Sequence, residues 1–330
     1  MATAARVSGL RSSTRQRIAS TGRALKPVAE ARGIPRAMLW VGAAITAFFV
    51  FLAFAAPIVS PYNFDAYKSN GVRFKQLAPP SSAHWMGTTV QSTDVMSRVI
   101  WGAQTELKVV IIALAMSLIV GVPLGLLSGY FGGPLDRALV LIMDALIAFP
   151  YLLIAIVIAF LLTNSFGGGV LTAAFAITVA YIPLYFRVVR NHVISIREES
   201  YVDAARALGA RPWTVIRKYV FFNVVQNVPP IATLNAADAI LLLAALGFLG
   251  YGIQPSTGAE WGYDINRSVS DASSGIWWTA LFPGLAIVLL VTGLTLLGEG
   301  LNETMNPVLR RRQFGDIDFD SRDANEAEAS

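Results

Sequence analysis

Apolar residues fall in long blocks along this chain, and short polar, Arg-rich or Gly/Pro-bearing segments separate the blocks. A helix rises about 1.5 Å per residue, so roughly 20 apolar residues cross the hydrocarbon core of a bilayer. Six segments reach that length: 37–60, 107–128, 138–163, 169–188, 229–250 and 277–298. Backbone polar groups in lipid must be satisfied within the segment, so the spans are predicted to be helices. The strand-like alternation of an outer-membrane barrel is absent. The expected fold class is an all-α integral membrane protein with six transmembrane helices.

The triplet Ala53-Phe54-Ala55 looks like a leader cleavage site, but the long basic stretch before it and the length of the apolar run predict a retained anchor. If the N-terminus is cytoplasmic, twenty of the 26 Lys and Arg residues fall in inner segments and five in outer ones, with Lys108 at a span mouth. That asymmetry puts both termini in the cytoplasm. The expected organisation is a cytoplasmic basic tail (1–36), an anchoring helix (37–60) and an extracytoplasmic segment (61–106). A five-helix core (107–300) with an inner loop at 190–228 follows, then a cytoplasmic tail (301–330).

Composition narrows the function. The chain is 55% apolar and 14% charged, with a mean hydropathy of +0.55, whereas soluble domains carry roughly a quarter charged residues. Cysteine is absent, which removes disulfides, thiolate zinc sites and thiol nucleophiles. The two histidines, His84 and His192, are far apart; the first reads as structural and the second as a lipid-facing surface residue. The net charge of +5 is ascribed to orientation and lipid head groups rather than nucleic acid. No phosphate-binding loop occurs, since Gly132-Gly133-Pro134-Leu135 lacks the lysine such a loop needs. No Ser/His/Asp set or metal-ligand cluster is apparent, so the chain reads as a transport subunit that is not itself an enzyme and binds no cofactor.

The inner loop carries the most information. Residues 198–208 are good helix formers, Gly209 suits the left-handed position after a helix, and Pro212 suits the first turn of a second helix. Trp213, Ile216, Tyr219 and Val220 are spaced to share one face of that second helix. Small alanines at the centre of the first helix let another backbone approach closely. Two readings stay open from these residues alone: a docking elbow for a partner, or a surface helix lying along lipid head groups.

At these residues the chain resembles the membrane subunits of binding-protein-dependent ABC importers, whose inner loop carries Glu-Ala-Ala, three residues, then Gly. Asp203-Ala204-Ala205-Arg206-Ala207-Leu208-Gly209 fits with Asp in place of Glu, and Phe222 stands where the family pattern has Pro. His84-Trp85-Met86-Gly87-Thr88, the run from Asp94 to Ala103, and Gly129-Tyr130-Phe131-Gly132-Gly133 resemble the dipeptide/oligopeptide permease subgroup. Phe248-Leu249-Gly250-Tyr251-Gly252, Glu260-Trp261-Gly262 and Gly298-Glu299-Gly300-Leu301-Asn302 are similar to the C-type member of its permease pair, while Thr89 and Ser92-Thr93 depart from the pattern. The resemblance implies an inner-membrane permease fold with a coupling helix formed by Asp203, Ala204, Ala205, Arg206, Leu208 and Gly209. It implies four kinds of partner: a second homologous permease, ATPase subunits that bind ATP and Mg, an extracytoplasmic solute-binding protein, and membrane lipid. Peptides are the implied substrate, with nickel, glutathione or haem as alternatives within the class.

Asp144 and Asp238 fall within apolar spans, where a carboxylate is costly unless it faces water or the bundle interior. They are candidates for the translocation path, or for structural hydrogen bonds; Glu299 reads as structural. They also keep open an ion-coupled secondary transporter, against which the 203–209 loop argues. Ser117, Gly121 and Gly125, four apart, read as a helix-packing stripe.

Overall fold

The computed structural model describes residues 34–226 and 228–305, so most of the expected basic tail and residues 306–330 lie outside the described residues. Helix α1 spans Ile34–Val59. A two-stranded hairpin follows, β1 (Lys68–Ser69) with β2 (Val72–Arg73), closed by Asn70 and Gly71 at φ of 51° and 81°. Two successive positive φ values suit the right-handed twist of a tight hairpin, and Asn-Gly supplies them at least cost. Helices α2 (Val95–Phe131), α3 (Gly133–Ile147), α4 (Tyr151–Phe166) and α5 (Val170–Ile196) come next. The short helices α6 (Ser200–Ala207), α7 (Pro212–Val215) and α8 (Phe221–Val225) precede α9 (Val228–Phe248), α10 (Trp261–Ser273) and α11 (Trp278–Met305).

Helices α1, α2, α5, α9 and α11 are each long and apolar enough to cross a membrane. The expected span at 138–163 is instead two helices, α3 and α4, that meet at 91° and make a sixth crossing only as a bent pair. Pro150 causes the break: it has no N–H to continue the helix and drives the residue before it out of the helical region. Its own backbone is extended, with φ −54° and ψ 129°, at the head of α4. The expected span at 107 begins at Val95, because Asp94 caps it by accepting hydrogen bonds from the Ser97 backbone N–H and hydroxyl at 2.8 and 2.7 Å. His84 is buried, 2.8 Å from the other Asp94 oxygen, with the Phe74 ring against it. It is a structural residue. His192 lies within α5, 2.9 Å from the Val188 carbonyl, rather than in a loop.

The closest helix approaches are built on glycine. A methyl group at Gly121, Gly125 or Gly129 would run into Tyr185, Val189 or Val193 of α5, so the small-residue stripe of α2 is a packing face and extends one turn beyond its expected end. Gly42 of α1 lies against the backbone of α11 in the same way. The expected outer loop after α9 contains α10, whose first residue, Trp261, is fully buried against Gly102 and donates to the Val99 carbonyl at 3.1 Å.

Candidate functional site

At one end of the bundle α5 overruns its expected limit, and the chain turns back through α6. Arg197 follows α5 and donates to the Gly129 carbonyl at 2.9 Å, tying the turn to the last turns of α2. Helix α6 ends as its sequence predicts. Gly209 sits at φ +80°, its N–H bonds to the Arg206 carbonyl, and the Ala210 N–H reaches the Ala205 carbonyl at 3.0 Å. These two bonds form the paired closure that a left-handed residue permits after a helix.

The helix has two faces. Val202 is buried in a small apolar cluster with Leu126, Val189, Val193, Val215 and Val220, and Ala205 is buried as well. Asp203, Ala204, Arg206, Leu208 and Gly209 are exposed, Leu208 at 89%. Ala205, at 6% exposure, faces its own protein. Its position, three residues after Val202, puts it on the inward side of a 3.6-residue helix. Arg206 is held between Asp203 at 3.1 Å and the Tyr130 ring at 5.4 Å, so α6 also bears on the end of α2.

The face expected for the next helix is rearranged. Ile216 and Val220 are buried, but Trp213 is 64% exposed beside α6. Residues Ile216–Val220 form a π turn, which takes an extra residue per turn and shifts the buried positions to Val215, Ile216, Val220 and Val224. Phe222 continues into α8 without a turn.

A second feature lies at the α3–α4 break. A cavity of about 560 Å³ opens there, walled by Phe149, Tyr151, Tyr181, Leu184, Arg187 and Asp238 among others. Asp238 stands midway along α9 and accepts a hydrogen bond from the Tyr181 hydroxyl at 3.1 Å. Asp144 is absent from this wall; its carboxylate, 54% exposed, holds the Arg187 guanidinium at 2.8 Å. The two acids expected in the membrane thus serve different ends, one in the wall and the other behind a wall residue. Arg187 and Tyr181 carry no local signal of this role, because their partners lie on other helices.

The opposite end of the bundle holds a buried polar clasp that sequence reading misses. Arg98 of α2 donates through Nε to both Asp264 oxygens of α10 at 2.8 and 2.9 Å. Glu260 caps α10 by accepting from the backbone N–H groups of Gly262 and Tyr263 at 2.7 and 2.6 Å. Burial pushes the Glu260 carboxyl up to about 7 against the pull of those two N–H groups, with Glu106 of α2 as its neighbour. The Glu106 oxygens are buried and meet no hydrogen-bond donor. Glu106 sits one residue before the expected span, so hydropathy alone assigns it to the outer segment.

Residues 121–311 match the family described as "Binding-protein-dependent transport system inner membrane component". The "Dipeptide transport system permease protein DppC" of Alkalihalophilus pseudofirmus is 36% identical, over 82% of this chain and 86% of the relative. The "Glutathione transport system permease protein GsiD" of Pectobacterium atrosepticum is 33% identical, over 78% and 83%. Among solved structures, the MetNI methionine ABC transporter aligns at a TM-score of 0.54 with 18% identity, covering 64% of this chain and 98% of that one; the likeness is one of fold. The family match covers the elbow, the cavity helices α5 and α9, and the bent pair between α2 and α5. The chain is thus a multi-pass membrane protein of the family of binding-protein-dependent transport system inner membrane components.

Proposed function

We propose that the chain is the membrane-spanning subunit of an ATP-driven importer of short peptides, paired with a second, related membrane subunit. ATP and Mg bind to separate ATPase chains, and an extracytoplasmic protein delivers the solute. The observation that carries this reading is the elbow: a short helix seated by Val202 that turns Ala204, Leu208 and Gly209 outward. The small outward residues beside the exposed Leu208 leave room for a partner's backbone to approach closely. The clustering of Arg187, Arg190, Arg197, Arg206, Arg211 and Arg217 around this end supports reading it as the cytoplasmic one. Peptides follow from the relatives, which are named for dipeptides, di/tripeptides and glutathione, itself a tripeptide.

In this reading the ATPases move α6 when they close on ATP. Val202 passes the displacement to α5, and the Arg197–Gly129 and Arg206–Tyr130 contacts pass it to α2. The cavity at the α3–α4 break, bounded by α5 and α9, then changes its access from one side of the membrane to the other. The test is uptake into vesicles that hold the chain with its ATPases and partner permease, supplied with binding protein. ATP should drive dipeptide accumulation. Accumulation driven by a proton gradient without nucleotide overturns the reading.

A further inference from the structure

The cavity at the α3–α4 break bears opposite charges on a wall that is otherwise apolar or aromatic. Asp238 has Tyr181 as its hydrogen-bond donor and makes no ion pair among the described residues. An ionised carboxylate halfway along a membrane helix is stable only when water or a cation meets it. Arg187 gives one N–H to Asp144, and a guanidinium has five, so donors remain for a second anion. We propose that this cavity holds a peptide of two or three residues in transit by its two charged ends, the α-ammonium at Asp238 and the α-carboxylate at Arg187.

Spacing and size agree with such a ligand. Tyr181, which marks the level of Asp238, and Arg187 are both on α5, six residues or about 9 Å apart along its axis. An extended peptide spans at most about 3.3–3.6 Å per residue, which matches two to three residues. The volume of about 560 Å³ lies in the range of small-ligand pockets, about 300–1,000 Å³. Phe149, Ile154 and Leu184 offer surfaces without directional polar groups toward the peptide's side chains, so the cavity reads termini and tolerates side chains. This deepens the peptide-importer reading and rests on it.

The test uses the complete membrane complex with its ATPases in nanodiscs, without binding protein, and measures binding of trialanine and N-acetyl-trialanine by equilibrium dialysis. Trialanine is expected to bind at least tenfold more tightly than its acetylated form. Asp238→Asn should bring trialanine down to the level of the acetylated peptide while leaving the latter unchanged. Equal binding of the two peptides to the wild type overturns the proposal, as does an Asp238→Asn complex that still discriminates. The wild-type comparison stands even if the variant fails to assemble. If vesicles take up peptide with ATP but the cavity does not discriminate, this proposal falls and the importer reading survives; if peptide uptake is missing altogether, both fall.

Discussion

Gly209 acts through its backbone. At φ +80°, with open space where a side chain would project, it excludes β-branched residues for conformational reasons alone, at about 1–3 kcal/mol. Gly209→Val should therefore unravel the closure of α6 and lower both ATPase copurification and peptide uptake. Gly209→Asn, which tolerates that conformation, should keep most of both. Equal loss in the two variants would point to a contact made by the glycine surface instead. This role was legible in the order Ala-Leu-Gly-Ala after a helical run. The inward turn of Ala205 was not, because the motif presents two adjacent alanines and only the packing distinguishes their faces.

Two elements show how neighbours override a linear pattern. Hydropathy treats 138–163 as one block, yet Pro150 splits it into α3 and α4 and so creates the cavity. The polar stretch after α9 reads as a loop, yet it folds into α10 because Glu260 caps it and Trp261 plugs into α2. A methyl group at Gly247 of α9 would overlap the Glu260 carboxylate, so this acid is enclosed on every side. The proton it keeps in the folded state gives a pH dependence of known sign. Between the ordinary carboxylate range and about 7 the folded chain holds a proton that the unfolded chain releases. The associated stability is present at the acid side and is lost as pH rises through about 7. Thermal unfolding should move to lower temperature between about pH 5 and 7. Glu260→Gln, which removes the titrating carboxyl, should reduce that change; a wild-type profile without slope in this window would refute the assignment.

For the molecule as a machine, the decisive geometry is that one end of the bundle carries an outward-facing helix rigidly seated on α2 and α5. A photocrosslinker at 208 or 204 should capture the ATPase during turnover, whereas one at 205, buried on the inward side of α6, should yield no ATPase adduct. Efficient capture from 205, or none from 208, contradicts the seating described here. Elbow and cavity are joined by α5, a continuous 27-residue helix that carries both Val193 of the elbow cluster and Tyr181 and Arg187 of the cavity wall.

The number of apolar blocks, the helix that ends at Gly209 and the glycine stripe of α2 were written in the amino-acid order, because each depends on length, local backbone preference or period along one element. Separating Asp144 from Asp238, pairing Arg187 across helices, turning Ala205 inward and enclosing Glu106 with Glu260 took the folded chain. Those relations join residues from different helices, and no periodicity within a single helix encodes which of its neighbours a side chain will meet.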